Sequence, residues 1–407
     1  VPGIVVEGAR YRRRQQKSLG HYTTLAGPIE VMRTTYRARG GRGGETIAAL
    51  DLRLGLVDNH WTSVAAEVAT TFVASVPTSE AEALLRSAGT MRPSASHLDR
   101  VMKHVGGLWE ERRVQFEVEV REAERLDLPS PERVASIAVS LDGVMVPMKD
   151  APRTPGLGKK DQGPKGHKEA SCATLALYDR HGERLHTIRF GRMPESHKRV
   201  LHEQLASELA ALLERYPDAE VEAVADGARE NWRIIREIAA ELGCKIAERL
   251  DFFHAAEHLA EALGAAGQSP DEIASWRARL RDEPGVVEPL IEELGVLAAG
   301  SRTKAISANF DYFINNAARV DYAEAAAANH PIGSGVQEAA CKTLVAERMK
   351  RSGMTWRTPG GQSVLTMRGL AQSRRLHHAW GALRPTLPTA FEVDADRGRQ
   401  RPMKSAA

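Results

Sequence analysis

The sequence has little cysteine. Three of its 407 residues are cysteines, Cys172, Cys244 and Cys341, and no two of them form a CxxC pair. A disulfide framework and a cysteine zinc site both need paired or closely spaced cysteines, so neither is indicated. We expect the three to be small buried hydrophobic side chains.

Long apolar runs are also missing. No run approaches the roughly 20 consecutive apolar residues that a membrane-spanning helix needs. The first residues, VPGIVVEGARYRRRQQK, lack the order of regions that a signal peptide has. A composition of 42% hydrophobic and 27% charged residues is that of an ordinary soluble protein, long enough for two or three domains. The sequence therefore predicts a cytoplasmic protein without a membrane partner.

Charge is unevenly distributed along the chain. The formal net charge is +3, but residues 1–60 carry +5, residues 341–407 carry +9, and the residues between them carry −11. Basic ends around an acidic middle are typical of a protein whose ends hold a polyanion while its carboxylates remain free for metal. Solvated tails would give a similar distribution.

The first 130 residues divide into two regions. Residues 20–58 alternate polar and apolar residues before a Gly-rich turn, which predicts a small basic β module over residues 1–60. Residues 61–130 have helical periodicity: a helix over 62–74, one starting at a Ser79–Glu82 capping box, and one long helix from Ser94. Two short helices around a Gly-containing turn fit either a helix-turn-helix for a DNA groove or an ordinary helical hairpin.

From residue 131 the pattern predicts an α/β domain. Strands are expected over 135–146, 170–178, 184–190, 221–225 and 244–247, with helices over 196–216 and 229–242. An almost wholly helical segment follows, interrupted at Gly267–Pro270, Pro284–Gly285 and Gly300. We place domain boundaries at 1–60, 61–130, 131–254, 255–330, 331–380 and 381–407, the last being a basic tail.

Three carboxylates occupy notable places in this pattern. Asp142 lies in the first strand, Asp226 follows the fourth, and Glu338 lies in the first turn of the final helix. An RNase H-like nuclease keeps its metal-binding carboxylates at these places, and two Mg²⁺ ions held there can cleave a phosphodiester. Each residue also has an ordinary explanation, since Asp-Gly makes turns and Glu338 with Lys342 fits a helical i,i+4 pair.

Several stretches resemble the ISKra group of bacterial insertion-sequence transposases, relatives of the Mutator-like DDE enzymes. The stretches are VSLDGV, VADGARENW, LDFFHAAEH and PIGSGVQEAACKTLVAERMKRSGMTWRTPGGQSVLTMRGL. The resemblance implies an RNase H-like mixed five-stranded sheet with an all-α insertion, and a catalytic triad of Asp142, Asp226 and Glu338. It implies Mg²⁺ or Mn²⁺ as cofactor, terminal inverted repeats and target DNA as double-stranded partners, and a homodimer in the active complex.

The chain departs from the family pattern at one place and matches it at one further motif. Family members often carry a CxxC knuckle where this chain has Ala38-Arg39-Gly40-Gly41, so no zinc is expected there. Asp251 with His254 matches the family's (Cys/Asp)xxHis element, which makes Asp251, His254 and His258 candidate residues around the triad rather than members of it.

Two other functions compete with the transposase. His254-Ala255-Ala256-Glu257-His258 matches the HxxEH pattern of inverted zinc peptidases, but a pattern of five residues arises easily by chance. A DNA-binding repressor derived from a transposase would keep the fold without the chemistry; the intact carboxylates argue against it.

Basic and aromatic residues near the end of the chain are candidates for DNA contact. Cations with an aromatic residue at a Gly-bounded turn can hold phosphates and stack on an unpaired base, although Trp356 could equally be a core anchor. The candidates are Lys342, Arg348, Lys350, Arg351, Trp356 and Arg357, with Lys159 and Lys160 in the Gly- and Pro-rich loop of residues 150–167.

Overall fold

The computed structural model describes residues 1–38, 44–89, 91–149, 166–300 and 303–394. The chain divides into two compact units, a terminal unit of Val1–Glu124 with Arg374–Ala407 and a central unit of Arg125–Ser373. Within the described ranges, no helix combines the length and the apolar character needed to cross a membrane.

The strands of the described residues, in chain order, are β1 Gly3–Val6, β2 Ala9–Thr24, β3 Gly27–Ala38, β4 Thr46–Ala48, β5 Ser136–Pro147, β6 His167–Tyr178, β7 Arg184–Arg192, β8 Glu220–Ala225, β9 Ala247–Leu250 and β10 Glu392–Val393.

The helices are α1 Ala49–Leu54, α2 Ser63–Ser75, α3 Thr78–Ser87, α4 Ala95–Glu111, α5 Arg113–Glu124, α6 Arg199–Arg215, α7 Arg229–Leu242, α8 Phe252–Ala265, α9 Pro270–Asp282, α10 Val287–Gly300, α11 Lys304–Asn316, α12 Tyr322–Ala327, α13 Gly335–Ala340, α14 Glu347–Met349, α15 Thr358–Gln372 and α16 Leu376–Leu383. A π-helical segment, Cys341–Ala346, joins α13 to α14.

The terminal unit contains a five-stranded sheet in the order β10-β1-β2-β3-β4. All of its pairings are antiparallel, and β2 with β3 forms a long hairpin interrupted by two bulges. The sequence predicts a β module before the Gly-rich turn, but not the contribution of residues 381–407. Instead of being only a basic tail, that segment supplies β10, which pairs with β1 through Ile4↔Val393 and Val5↔Glu392.

The helices of the terminal unit differ from the prediction in two details. Helix α3 starts after Pro77 without a side-chain cap, so the predicted Ser79–Glu82 capping box does not form. Glu82 instead accepts a 2.9 Å hydrogen bond from the backbone N–H of Ala95, at the start of α4. The expected long helix from Ser94 ends at Arg112, where non-helical torsions separate α4 from α5.

The central unit is built on a second five-stranded sheet in the order β7-β6-β5-β8-β9. The first strand in the chain, β5, lies in the middle, antiparallel to β6 and parallel to β8, and β9 is parallel to β8. The sequence predicts this mixed five-stranded sheet, but it places the last strand, β9, too early in the chain. Strand β9 begins at Ala247 rather than at 244, because the Cys244 N–H still bonds to the Ala239 carbonyl of α7 at 3.1 Å. It extends through Glu248 and Arg249, which ion pairs hold in the strand.

Helices cover both faces of the central sheet. Alternate β5 residues, Ile137, Val139 and Leu141, pack in one core with side chains of α6 and α7. On the opposite face Val146 and other β5 and β6 residues pack with the helical run from α13 to α14 and with α15. The side chain of Asp142 alternates with Leu141 and therefore lies on this second face.

In the described residues between β9 and α13 the regular secondary structure is helical, as predicted, and these helices have their own core. The core is formed by apolar side chains of α8, α9, α10, α11 and α12, among them Leu259, Leu290 and Phe313. The predicted interruptions at Gly267–Pro270 and Pro284–Gly285 coincide with the ends of α8 and α9.

Candidate active site

Three aspartates lie at one level across the central sheet, at the carboxyl ends of β8 and β9: Asp142 within β5, Asp226 directly after β8 and Asp251 directly after β9. The parallel register pairs Val139 with Ala223, and the same offset aligns Asp142 with Asp226. The register of β8 with β9 pairs Ala225 with Leu250, so Asp226 aligns with Asp251. Neighbouring strands are about 4.8 Å apart, so the three residues form a row across β5, β8 and β9.

Asp142 occupies the middle strand of this row and is partly buried. Its Oδ1 accepts a 2.6 Å hydrogen bond from the N–H of Gly143, and its Oδ2 accepts a 3.4 Å bond from the Cys341 thiol. Burial raises the pKa of Asp142, and the negative charge of Asp226 raises it further, while the Gly143 N–H, the thiol and His254 act in the opposite direction. The site therefore disfavours a second negative charge until a cation is present.

Asp226 is oriented by a buried amide. Its Oδ1 accepts hydrogen bonds from the Ala228 N–H at 3.1 Å and from Nδ2 of Asn231 at 3.2 Å. Asn231, 3% exposed in α7, also donates through Nδ2 to the Leu141 carbonyl at 3.3 Å. One side chain thus holds the Asp226 carboxylate and the backbone immediately before Asp142.

The orientation of the Asn231 amide is set by Lys198. The Lys198 ammonium donates to Oδ1 of Asn231 at 3.1 Å, which leaves Nδ2 to face Asp226. Lys198 has a side chain only 10% exposed and pairs with Glu169 at 2.9 Å. Its backbone, like that of His197, has a positive φ, 50° and 54° respectively, a strained conformation for residues with side chains. This strained turn directs the ammonium toward the amide.

Asp251 ties two segments of the chain together. It is completely buried and caps α8 by accepting a 2.9 Å hydrogen bond from the His254 N–H. Its other oxygen accepts from the N–H of Ser334, the residue before α13. A second link runs from the Phe252 N–H to the Ile332 carbonyl at 3.0 Å. These bonds fix the start of α13, and with it Glu338, beside the end of β9.

Glu338 lies close to Asp251 and His254, which the sequence places around the triad rather than in it. One ligand atom from each of Asp251, His254 and Glu338 lies within 4.8 Å of the others. Within the described parts of the chain, Asp142, Asp226 and Glu338 do not form a group this tight. The edge of the sheet therefore gathers four carboxylates and one imidazole, of which Asp251, His254 and Glu338 are the most closely spaced.

His258 has a different environment. Its ring stacks on Tyr312 with centroids 3.7 Å apart, and its Nδ1 lies 2.5 Å from Oδ1 of Asn309. In the described residues, no group of three potential metal ligands contains both His254 and His258. His254 instead groups with Asp251 and Glu338, while His258 contacts Tyr312 and Asn309.

Tyr312 connects the helical segment to the aspartate row. Its hydroxyl donates to the Asp226 carbonyl at 3.3 Å. Burial raises the pKa of this hydroxyl, with further contributions from Asp226, Asp251 and Glu257, so it remains a donor at neutral pH. A Cβ on Gly227 would lie 3.1 Å from the Tyr312 ring, and the φ of Gly227 is +89°. Glycine is therefore required after Asp226 for both backbone and space.

The residues proposed for DNA contact separate into exposed and packed groups. Arg348 is 4% exposed and its guanidinium lies 5.1 Å from the Trp356 ring centroid. Trp356 donates to the Met349 carbonyl at 2.9 Å, which favours the core-anchor alternative. Lys159 and Lys160 lie outside the described residues, as do Arg39 to Gly41 of the expected zinc-free loop. The remaining candidates are exposed: Lys342, Lys350, Arg351 and Arg357.

Two cysteines are buried, as the sequence predicts, but Cys244 is partly exposed. A contact with Cys172 and burial raise the pKa of the Cys341 thiol, so it is protonated when it donates to Asp142.

Sequence reasoning missed Lys198, Asn231 and Tyr312. Asn231 lies five residues after Asp226 on the first turn of a helix, which is a signal that a search for neighbouring side chains could have used. Lys198 and Tyr312 carry no such signal, because they reach Asn231 and Asp226 from 33 and 86 residues away.

No protein-family model and no curated protein sequence matches the chain. Among solved structures, the chain is similar to the Drosophila P element transposase strand transfer complex, with a TM-score of 0.27 and 11% identity over 80% of this chain and 81% of that one. A TM-score of this size does not establish a shared fold, so the functional argument rests on the residues of the site.

Proposed function

We propose that the chain is a DDE transposase with an RNase H-like catalytic unit. It would bind the terminal inverted repeats of an insertion sequence, cleave the DNA ends and join the freed 3′-OH to target DNA. The observation that carries this proposal is the row of carboxylates at the carboxyl edge of the central sheet. In open α/β sheets, sites form at this edge, and the row coincides with the motifs that resemble ISKra transposases.

The donor set of the site fits a divalent cation such as Mg²⁺ or Mn²⁺. Asp142, Asp226 and Glu338 would supply hard oxygen ligands, and the raised pKa of Asp142 means that a cation relieves an existing electrostatic cost. Imidazole suits Mn²⁺ better than Mg²⁺, so participation of His254 would favour Mn²⁺. When bound, such ions activate the attacking oxygen and stabilise the leaving oxygen of a phosphodiester.

Other residues of the chain would keep these ligands in position. Asn231 fixes one oxygen of Asp226 and the backbone before Asp142. Asp251 holds the start of the helix that carries Glu338. Ligands that are oriented by such contacts lose less entropy on binding a metal, and the loss of an orienting contact typically weakens affinity or activity about 10–100-fold.

Double-stranded DNA is the proposed substrate, and the active complex is proposed to be a homodimer, since two element ends must be brought together. Of the exposed cations after Glu338, Lys342 lies on the same helical run, Lys350 and Arg351 follow the end of that run, and Arg357 precedes α15. This arrangement supports contact with phosphates near the cleavage site.

The test is the substitution Glu338→Gln, assayed by nicking of a labelled duplex that contains the terminal inverted repeat read from the DNA flanking the gene. Glutamine preserves size and helix propensity but removes the negative charge. We expect cleavage in Mg²⁺ or Mn²⁺ to fall by orders of magnitude while DNA binding and the melting temperature are retained.

Glu324→Gln is a matched control. Glu324 is also an exposed glutamate in the first turn of a six-residue helix, α12, but it is not part of the aspartate row. If Glu338 were only a surface partner of Lys342, its substitution would cost about 0.2–0.5 kcal/mol of stability and leave cleavage unchanged. Wild-type cleavage by a folded Glu338→Gln protein would contradict the DDE mechanism.

A further inference from the structure

One face of the terminal sheet carries four arginines: Arg10, Arg12, Arg14 and Arg37. We call this the arginine face. Three of the side chains are exposed and Arg37 is half-buried. The two basic strands that carry them follow each other directly in the chain, β2 and β3.

The strand register places these side chains together. Arg12 on β2 lies directly opposite Arg37 on β3, and Arg37 lies opposite Thr46 on β4. Opposed residues in an antiparallel ladder point to the same side of the sheet, about 5 Å apart. Arg10 is two residues from Arg12 and shares its side. Arg14 occupies the first bulge, and its guanidinium contacts the Thr46 hydroxyl at 3.3 Å.

The opposite face of the same sheet is a hydrophobic core. Ile4, Val6, Tyr11 and Tyr36 are buried there together. Around Tyr11 the alternation therefore puts apolar side chains on the inner face and cations on the outer face, as expected for an antiparallel sheet with one side covered. The exposed Arg13, opposite Tyr36, is an exception on the inner side.

The arginines of this face have no ion-pair partners among the described residues, and Nε of Arg37 is buried without a hydrogen-bond partner among them. Two carboxylates share this side of the sheet without forming an ion pair with these arginines: Glu392 lies opposite Val5, the partner of Arg10, and Asp394 lies beside Gly3, the partner of Arg12. Like charges directly opposite each other destabilise a ladder, so the Arg12–Arg37 pair is unfavourable unless an anion lies between the two.

Protection of a sheet edge does not explain these arginines. Charged residues on an edge strand prevent pairing with other chains, but at Arg12 the strand β2 is paired on both sides, with β1 and β3, and Arg10 is paired with Val5 of β1. A regularly spaced set of cations on an interior strand is better suited to binding an extended polyanion. Duplex DNA has about one negative charge per 1.7 Å of its axis, so cations roughly 7 Å apart along a strand can each meet a phosphate.

We propose that the arginine face binds the phosphate backbone of duplex DNA without reading its sequence. This inference rests on the proposed function and adds to it a second DNA-binding surface, distinct from the carboxylate edge of the central unit. Its role would be to hold the duplex in place, since phosphate contacts supply affinity and position while base contacts supply sequence specificity.

The experiment measures binding of the full chain to a labelled 40-base-pair duplex of mixed sequence in EDTA, at several salt concentrations. We expect the double variant Arg12→Gln and Arg37→Gln to bind at least tenfold more weakly. Because each lost phosphate contact lowers the slope of log affinity against log salt by about 1, the slope should fall by about 2. An inverted-repeat duplex should lose affinity by the same factor.

A matched control removes two charges elsewhere. Arg180 and Lys245 are exposed residues of the central unit, in the β6–β7 turn and before β9, at the end of the sheet opposite the carboxylates. The variant Arg180→Gln with Lys245→Gln has the same net charge as the test variant and should bind as wild type does. The charge-preserving variant Arg12→Lys with Arg37→Lys should retain most of the affinity, which excludes misfolding as the cause of a loss.

Other outcomes would overturn the inference. Equal binding by the test and control variants would show that only net charge matters. Binding to phosphatidylserine vesicles but not to duplex DNA would assign the face to a membrane surface instead. The readout is independent of cleavage: wild-type cutting by Glu338→Gln would refute the proposed chemistry, whereas wild-type binding by the Arg12 and Arg37 double variant would refute only the arginine face.

Discussion

The protein contains two five-stranded sheets, which differ in how many residues of their strands are buried. In the terminal unit, β2 has 16 residues of which only Tyr11, Gly20 and Tyr22 are buried. In the central unit, β6 has 12 residues, and every residue from Ala170 to Tyr178 is buried. The first sheet is antiparallel throughout and the second is mixed.

The difference shows where each unit can place charge. A sheet covered on one face can carry cations on the other at little cost, because they remain in water. A sheet covered by helices on both faces has polar positions chiefly at its edges, where strands end and helices begin. Accordingly, the arginines of the terminal unit spread along β2 and β3, whereas the carboxylates of the central unit concentrate at one edge.

The largest expected effect comes from comparing a carboxylate that has an ion-pair partner with one that faces a like charge. Asp51 of the terminal unit accepts from the Tyr22 hydroxyl at 2.6 Å and pairs with Arg33, whereas Asp142 faces the like charge of Asp226. We expect Asp142→Asn to abolish cleavage yet raise the melting temperature in metal-free buffer at pH 7. Asp51→Asn should lower it.

The direction of the change in melting temperature follows from the linkage between protonation and folding. The fold raises the pKa of Asp142 above its unfolded value of 3.8, so the stability that the protonated form provides is lost as pH rises through the folded pKa. Asparagine imitates the protonated form, so the gain should shrink as the pH falls through the folded pKa and disappear below about 3.8, where Asp142 is protonated in both states. A lower melting temperature for Asp142→Asn at pH 7 would show that Asp226 does not oppose its charge.

The next effect compares a buried with an exposed helix cap. Asp251→Ala leaves the N–H groups of His254 and Ser334 without their buried acceptor, at a cost of about 2–5 kcal/mol. Ser94→Ala removes an exposed cap of α4, a 3.4 Å bond from the His97 N–H, at about 0.5–1 kcal/mol. Urea unfolding of the full chain in EDTA measures both, and equal costs would contradict the role of Asp251 in joining α8 to α13.

The smallest expected effect concerns Asn231, which orients the Asp226 carboxylate. Asn231→Ala should lower cleavage and the apparent affinity for Mn²⁺ by about 10–100-fold, because Asp226 loses the donor that orients it. Asn315, an exposed residue of α11, provides the control Asn315→Ala, with no expected change. A titration of cleavage rate against Mn²⁺ concentration separates a change in rate from a change in Mn²⁺ affinity. A lower rate with an unchanged Mn²⁺ midpoint would argue against a positioning role.

Local features were predictable where neighbours in the sequence decide them. Helix α7 has the predicted bounds, because Gly243 ends it in a left-handed conformation, and Ser269 begins α9 with a capping box. The same kind of reasoning failed at Ser79 and Glu82, where a contact with Ala95 from the next helix replaced the local cap. It failed again at β9, since Arg249 is buried only because Glu222 and Asp321 pair with it.

The sequence by itself determined the order of strands and helices in the central unit and put Asp142 on a strand and Asp226 just after one, because periodicity and turn residues act over a few positions. Only the tertiary structure decided which residues meet. Asp251 reaches Ser334 across 83 positions, Arg12 faces Arg37 through a register set by the β2–β3 hairpin, and Lys198 orients an amide from another helix. These contacts depend on strand register and on the packing of distant segments, which no local pattern of residues specifies.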